Sequence, residues 1–136
     1  MRKALLGFFV LFVLSACSPG KDVPIAEAGV VDFHQKLNNG DFATITNEAS
    51  AEFKAATKQD DFIKLLSVIH RKLGNFQSSK STGWNDTVAT GGTTVTLNYS
   101  ATYENGTADE NFVFRITDGK AVLLGYHINS MALILN

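Results

Sequence analysis

Apolar residues in the first half of the chain recur at helical spacing. Apolar side chains return every three or four positions from Pro24 to Asn38, which predicts a first helix that ends at Gly40. Asp41 can cap a short second helix, for which we expect a bent continuation through Phe53. A first helix and one short, bent second helix are therefore predicted before residue 57.

The segment from residue 58 to 73 carries the most complete set of helix signals. Thr57 is a capable N-cap, and Asp60 and Asp61 lie in the first turn, where the helix dipole favours negative charge. Basic residues and Gly74 close the segment. Its apolar stripe consists of Phe62, Leu65, Leu66, Ile69 and Leu73.

After Gly74 the apolar period changes to two, the spacing of strands. A polar segment around Trp84 predicts an irregular or edge strand, and the alternation from Thr94 to Tyr103 predicts a strand with one buried face. Turn signals at Asn105-Gly106 and Asp118-Gly119 introduce two further strands. The pattern predicts an α+β fold with N-terminal helices packed on a curved four-stranded antiparallel meander sheet. The apolar positions expected in the last two strands are Phe112, Phe114, Ile116, Val122, Leu124, Tyr126 and Ile128.

The C-terminal run from Met131 to Leu135 is apolar and allows two interpretations. We favour the end of a buried strand; the alternative is an exposed patch that binds a partner. Together with the polar first strand, this tail also offers an edge for a second copy or an envelope protein.

The first 16 residues have the organisation of an export signal. Two basic residues precede an apolar run from Ala4 to Leu14, which is too short to span a bilayer comfortably. The tetrapeptide Leu14-Ser15-Ala16-Cys17 resembles a bacterial lipobox, in which the cysteine accepts lipid; the alternative is an ordinary signal with a chance cysteine. We expect a signal peptide at 1–16, an acylated Cys17 with a short tether at 17–23, and a single domain at 24–136.

Lipidation at Cys17 would make this a membrane-anchored lipoprotein of the cell envelope. Several acyl chains, palmitate among them, give stable anchoring, because each buried methylene contributes about 0.8 kcal/mol. Pro19, two residues after the cysteine, is not the aspartate typical of inner-membrane retention. The expected location is therefore the periplasmic face of the outer membrane.

Composition limits the classes of partner and chemistry. The chain has 12 Lys and Arg, two of which leave with the signal, so ten remain against 13 Asp and Glu. This mildly acidic balance argues against nucleic acid. Cys17 is the only cysteine, so no disulfide or thiolate metal cluster is expected.

No motif for a metal or cofactor is found. His34, His70 and His127 have no histidine partner at helical spacing, so a zinc site is not expected. Gly91-Gly92 lacks a following lysine and precedes a strand, which favours a turn over a phosphate-binding loop. We predict no metal and no cofactor.

A set of motifs matches a known superfamily over about residues 25 to 130. They are Phe33-x-x-x-Leu37-Asn38-Asn39-Gly40-Asp41-Phe42 leading into Phe53-Lys54, Leu73-Gly74, Tyr99-x-Ala101-x-Tyr103-Glu104-Asn105-Gly106, Glu110-x-Phe112 and Leu124-Gly125-Tyr126-x-Ile128. In these motifs the chain resembles small bacterial envelope proteins and lipoproteins of the cystatin-like, nuclear-transport-factor-2-like superfamily, several of them domains of unknown function. The motifs follow helix ends and strand faces, so they support a fold more than an activity. One departure is Ala121, where similar proteins often carry Trp, which predicts a differently shaped pocket.

The resemblance implies a cystatin-like roll that encloses a cone between the first helix and the sheet. Some relatives use an acid and a tyrosine there for isomerase or dehydratase chemistry, which requires a base and a hydroxyl donor at one substrate carbonyl. Asp32, His34, Tyr99 and Tyr103 are the weak catalytic candidates here. We favour the simpler interpretation, in which both tyrosines are core aromatics and Asp32 and His34 lie on a solvated flank.

The sequence therefore favours a non-catalytic, membrane-anchored binding or interaction module. Its occupant would be a small apolar ligand, an envelope protein or a second copy forming a homodimer. The alternative is a small isomerase or lyase-type enzyme with a pocket between the first helix and the sheet. The predicted ligand or partner face consists of Tyr99, Tyr103, Phe112, Phe114, Tyr126 and His127.

Overall fold

The structure, a computed structural model, describes residues 20–135. Four helices precede four strands, and a short fifth helix follows, which confirms the predicted α+β order. None of the described helices combines the length and apolar content needed to cross a membrane. The predicted export signal and Cys17 lie outside the described residues. The elements are α1 Val23–Asn38, α2 Phe42–Glu48, α3 Ala51–Ala56, α4 Gln59–Leu73, β1 Phe76–Ala89, β2 Gly92–Tyr103, β3 Gly106–Thr117, β4 Lys120–Asn129 and α5 Met131–Leu135.

The strands form one open antiparallel sheet in the order β1-β2-β3-β4. Consecutive strands are neighbours, as the predicted meander requires. At the turn from β3 to β4, Asp118 and Gly119 have φ of 52° and 73°. These left-handed conformations match the twist of a tight two-residue hairpin, so the Asp-Gly prediction is confirmed.

Tertiary contacts fix the turn between β2 and β3. The sequence predicts a turn at Asn105-Gly106, whereas β3 already begins at Gly106 and the turn residues are Glu104 and Asn105. Their backbone amides donate to the carbonyl oxygens of Asn75 and Leu73. The position of this hairpin is therefore set by the end of α4 as well as by local turn propensity.

One apolar core lies between the helices and the inner face of the sheet. Burial of this face stabilises each helix far more than its own propensity, since a fully buried aliphatic or aromatic side chain contributes about 1.5–3 kcal/mol. The core side chains that are at most 1% exposed are Ala26, Leu37, Leu66, Ile69, Leu73, Val95, Leu97, Ala101 and Phe112.

An irregularity in β4 changes which of its residues face the core. Phe112 lies opposite Tyr126, but Phe114, two residues later, lies opposite Leu123, three residues away from Tyr126. One extra residue in β4 reverses the alternation of its side chains. The prediction that Leu124 faces inward is therefore wrong, and Leu123 is the buried residue.

The predicted bent helix through Phe53 is two helices. Ala49 and Ser50 are both extended, with ψ of 159°. The Ser50 side chain then caps α3 by accepting from the amide of Phe53 at 3.0 Å. The Ser50 amide donates to the carbonyl of Leu123 in β4, which ties this break to the sheet.

The N-cap predicted for α4 is displaced by one residue. Lys58 occupies the N-cap position and makes no side-chain capping bond, while Thr57 is extended and ends α3. The Thr57 amide donates to the carbonyl of Phe53, which fixes Thr57 to the preceding helix. Asp60 and Asp61 lie in the first turn of α4 as expected.

The C-terminal run forms the short helix α5, so the favoured prediction of a buried strand is wrong. Strand pairing stops at Ser130, whose hydroxyl donates to the Thr107 carbonyl. The chain then folds back onto α4, where the Lys72 ammonium donates to the Leu133 carbonyl at 2.9 Å. Three apolar side chains of α5 stay exposed: Met131, Ile134 and Leu135.

Candidate functional site

Asn38 joins the end of α1 to the start of the edge strand β1. Its Oδ1 accepts from the Phe76 amide at 2.7 Å, and its Nδ2 donates to the Phe76 carbonyl at 3.2 Å. One amide side chain thus satisfies both backbone groups of Phe76. This pairing fixes the position from which the Phe76 ring reaches α1.

The Phe76 ring stacks on the imidazole of His34. The two rings are parallel within 3°, and their centroids lie 3.6 Å apart. His34 precedes Asn38 by four residues, so both lie on one face of α1. His34 is only 3% exposed, so the prediction that it lies on a solvated flank is wrong.

A buried carboxylate from β3 pairs with the buried histidine. His34 Nε2 lies 2.8 Å from Glu110 Oε2, and the Tyr103 hydroxyl donates to Glu110 Oε1. The Glu110 side chain is 0% exposed. Both carboxylate oxygens have partners, which is the condition under which a buried charge is tolerated.

This pairing orients the His34 ring. Nε2 lies against Glu110, so Nδ1 is the ring nitrogen left for another partner. Nδ1 makes no side-chain hydrogen bond within residues 20–135. His34 is one of the residues that line the groove between α1 and the first two strands. Glu110 is therefore a positioning residue, and His34 presents the network to the surface.

A groove of about 420 Å³ opens beside His34, between α1 and the first two strands. Its size falls within the range of small-molecule sites, and it combines apolar walls with a few polar groups. Apolar contacts come from Val30, Val31 and the Phe76 ring. The polar lining residues are Glu27, His34, Gln35, Asn38, Ser78, Ser79 and Tyr99.

Tyr99 brings a neutral phenol to the same groove. Burial raises the pKa of its hydroxyl, and the negative charge of Glu27 on α1 raises the pKa further. The hydroxyl therefore stays protonated at physiological pH, where it can donate or accept one hydrogen bond. Of the two predicted catalytic tyrosines, Tyr99 is the one at the groove.

Tyr126 extends the buried network from β4. Burial, the charge of Glu110 and the nearby Tyr103 hydroxyl all raise the pKa of Tyr126. Its hydroxyl approaches Tyr103 without a well-formed hydrogen bond and is a buried, unpartnered polar atom in the described part of the chain. Burial and the Glu110 charge likewise raise the pKa of Tyr103.

We expect the folded protein to show less tyrosine ionisation at pH 10 than free tyrosine does. All three tyrosines of the chain have pKa values raised above the ordinary value of 10.0. Raised native pKa values stabilise the fold fully below pH 10, and this stabilisation is lost as pH rises above it. Near-ultraviolet absorbance of tyrosinate, recorded beside circular dichroism, should show less than half of the tyrosine ionised at pH 10 while the protein stays folded. Ionisation of half or more of the tyrosine in folded protein would contradict this.

Asp32 does not join the network. Its side chain is 57% exposed and forms an ion pair with Lys36 at 2.6 Å, and Glu48 approaches the same ammonium at 2.5 Å. Partial burial lowers the pKa of Lys36, but hydrogen bonds to the two carboxylates raise it more. Asp32 is thus part of a surface ion pair, which removes it as the base of the predicted enzyme.

Most of the predicted ligand face is closed core. Phe112 is fully buried, with its ring centroid 5.1 Å from that of Phe33 and 5.0 Å from that of Tyr126. Helices cover this inner face, so only Tyr99 from the predicted set lines the groove. The remaining inner-face members of that set lie inside: Tyr103, Phe112, Phe114 and Tyr126.

His127 lies on the opposite face of the sheet, which corrects its predicted placement. It pairs with Asn111, next to the inward pair of Phe112 and Tyr126, and neighbouring residues of a strand face opposite sides. Asn111 donates to Asn98 at 2.7 Å on this outer face. No group of three or more His, Cys, Asp or Glu in residues 20–135 is placed to hold a metal.

Ala121 lies on the β4 side of the space between α1 and the sheet, where α1 packs closely on the strand. A Cβ atom added to Gly29 of α1 would lie 3.1 Å from the Ala121 Cβ and 3.0 Å from the Phe114 ring. The two small residues let α1 pack closely on β4, and only about 50 Å³ remains open there. The open volume therefore lies on the β1 side of α1.

The sequence reasoning missed Glu110, although a signal for it was present. Glu110 occurs in phase with Ala108, Phe112 and Phe114, the apolar positions of β3. A carboxylate in phase with a buried face needs a partner, since an unpaired charge is not tolerated there. The sequence could have indicated a buried carboxylate, but not that His34 and Tyr103 are its partners.

Comparison with solved structures supports the fold. The chain is similar to a crystal structure from Streptomyces avermitilis described as a candidate dehydratase of the NTF2-like family. The two share 14% sequence identity and a TM-score of 0.54, over 84% of this chain and 99% of that one. This likeness concerns the arrangement of helices and sheet, and it confirms the NTF2-like fold that the motifs imply.

The family comparison covers most of the groove and of the buried network. No curated protein matches the chain. The model of a family described as a protein of unknown function, DUF3887, matches residues 30–122, more than half of the chain. This range contains His34, Phe76, Tyr103 and Glu110. The chain belongs to the DUF3887 family.

Proposed function

We propose that this protein is an envelope lipoprotein whose domain binds a small, largely apolar ligand without transforming it. The observation that carries the proposal is the groove of about 420 Å³, at whose wall Glu110 holds the His34 ring in one orientation. Val30, Val31 and Phe76 fit an apolar body. His34 and Tyr99 supply hydrogen bonds for one polar end of the ligand.

The anchoring half of the proposal is supported by the sequence alone. An n-region, an apolar run and small residues precede Cys17, the only cysteine of the chain. Acylation there would place the domain on a membrane. Pro19 stands where inner-membrane retention typically has an aspartate, which favours the periplasmic face of the outer membrane.

A non-catalytic role is supported by how the polar groups are engaged. Tyr103 and Glu110 bond to each other in the interior, and Asp32 forms an ion pair with Lys36 at the surface. An enolising reaction needs a free base and a hydroxyl donor at one substrate atom. His34 and Tyr99 are the pair that the groove offers, so the competing function is a small lyase or isomerase with His34 as base and Tyr99 as donor.

Native mass spectrometry of the protein purified gently from its own envelope tests both halves of the proposal. We expect the mass of an acylated Cys17 and a retained small molecule. Val31→Trp should displace that molecule, because Val31 lines the groove yet is 58% exposed, so a larger ring fills the groove without disturbing the core. His127→Trp, on the opposite face, should retain it. An empty wild-type groove, or retention by Val31→Trp, would refute ligand binding.

Turnover separates a binding protein from an enzyme. The released molecule, incubated in excess with fresh protein, should keep its mass and its chromatographic position. Conversion of several equivalents, abolished by His34→Gln, would instead establish the lyase or isomerase function.

A further inference from the structure

Trp84 is the only tryptophan of the chain, and it lies half exposed on the edge strand β1. It pairs with Leu97, whose side chain faces the core, so the indole lies on the inner side of the sheet. Val88, four residues further along the same strand, is 78% exposed. We call Trp84, Asp86 and Val88 the β1 edge patch.

The N-terminal end of the described chain contacts the β1 edge patch through Gly20. The Gly20 amide donates to Asp86 Oδ2 at 2.7 Å. A Cβ atom on Gly20 would lie 2.8 Å from Cη2 of the Trp84 indole, and the residue has a φ of 83°. The Gly20 backbone thus rests against the indole edge, in a conformation that favours glycine.

The spacing between Gly20 and Cys17 limits how far the patch can lie from an anchored lipid. Three residues span at most about 11 Å in any conformation. If Cys17 carries lipid, as the proposed function holds, its Cα lies at the membrane surface. Gly20 is then within about 11 Å of that surface, and the Trp84 indole is in contact with Gly20.

We infer that the β1 edge patch faces the lipid headgroups and that the Trp84 indole enters the interfacial region of the membrane. Tryptophan suits this environment because it combines a large apolar ring with one N–H donor. β1 is an edge strand, and the headgroup region supplies the polar partners that its unpaired backbone groups need. The inference rests on the proposed anchor but adds an orientation that acylation alone does not determine.

Trp84 fluorescence tests the inference directly, because no other indole contributes. The acylated full chain is reconstituted into vesicles of phosphatidylethanolamine and phosphatidylglycerol, with or without lipids brominated near the headgroup end of their chains. We expect a blue-shifted Trp84 emission, most of which the brominated lipids quench. A matched control carries Trp84→Phe with His127→Trp, which moves the indole to β4, three strands away, and should escape quenching.

The outcomes separate the orientation from the anchor. Acyl mass on Cys17 with unquenched Trp84 emission would overturn the orientation and leave the proposed anchor intact. Equal quenching of Trp84 and of the indole at position 127 would also overturn it, because no particular edge would then face the lipid. Absence of acyl mass on Cys17 would refute the anchor and the orientation with it.

Discussion

Glu110→Ala is expected to lower the free energy of unfolding by about 2–6 kcal/mol, because each of the two buried donors that lose their acceptor costs about 1–3 kcal/mol. The substitution leaves the His34 imidazole and the Tyr103 hydroxyl buried without their acceptor. Unpartnered buried polar groups retain their full desolvation penalty. Urea unfolding followed by circular dichroism measures the change.

Asp109→Ala is the matched control for this substitution. Asp109 precedes Glu110 on β3 but is exposed, so its removal should change the free energy of unfolding by no more than about 0.5 kcal/mol. A loss below about 1 kcal/mol for Glu110→Ala would mean that the network contributes little to the fold.

A triple substitution tests the polar interactions of the network separately from the volume that its side chains fill. His34→Phe, Tyr103→Phe and Glu110→Leu together remove the three hydrogen-bonded members of the network and keep an apolar filling. We expect this protein to be more stable than Glu110→Ala, because the imidazole and the Tyr103 hydroxyl that Glu110→Ala leaves unpaired are absent. It should nevertheless lose ligand capture, since the groove would lack the imidazole. Equal destabilisation of both proteins would contradict the proposed cause.

Phe112→Ala is the second substitution for which we expect a large effect. It should lower the free energy of unfolding by about 3–5 kcal/mol. Its ring is fully buried and packs edge-to-face against Phe33 and, at 5.6 Å between centroids, against His34. Truncation removes these contacts and leaves a cavity beneath the imidazole. Thermal and urea unfolding of the same samples measure the loss.

Val88→Ala is the control for Phe112→Ala, because Val88 is an exposed residue on another strand, β1. Val88 is 78% exposed, so the expected change in unfolding free energy is within about 0.5 kcal/mol. Similar losses for Phe112→Ala and Val88→Ala would show that the inner face is not the main source of stability.

The network explains why the groove has a defined wall. Glu110 fixes one side of the His34 ring, and Phe76, held by Asn38, covers the other. Side chains constrained by packing and hydrogen bonds lose little freedom when a ligand binds. This pre-organisation favours a specific polar contact over general apolar adsorption.

Local sequence patterns were sufficient for the order and type of the main elements. The helical stripe of α4, the alternation of β2 and the Asp118-Gly119 turn each depend on residues close together in the chain. Their predictions are confirmed because local propensity and burial agree there, except that Leu65 of the predicted stripe is 40% exposed. The edge character of β1 was likewise predictable from its polar composition.

Predictions failed where distant segments decide the outcome. The extra residue of β4 places Leu123 in the core against Phe114, and the C-terminal run folds as a helix because α4 offers it a surface. The β2–β3 turn moved by one residue because its amides bond to Asn75 and Leu73. None of these contacts can be predicted from the spacing of apolar residues within a single helix or strand.

Patterns along the chain were enough to predict the α+β class, the meander and a set of candidate residues that included His34, Tyr99 and Tyr103. That Glu110, 76 positions from His34, joins His34 to Tyr103 became evident only from the packed fold. The packed fold also left Asp32 at the surface and placed His127 on the other face of the sheet. Periodicity shows which face of an element a residue occupies, whereas the convergence of side chains depends on how helices and strands pack, and that depends on the whole core.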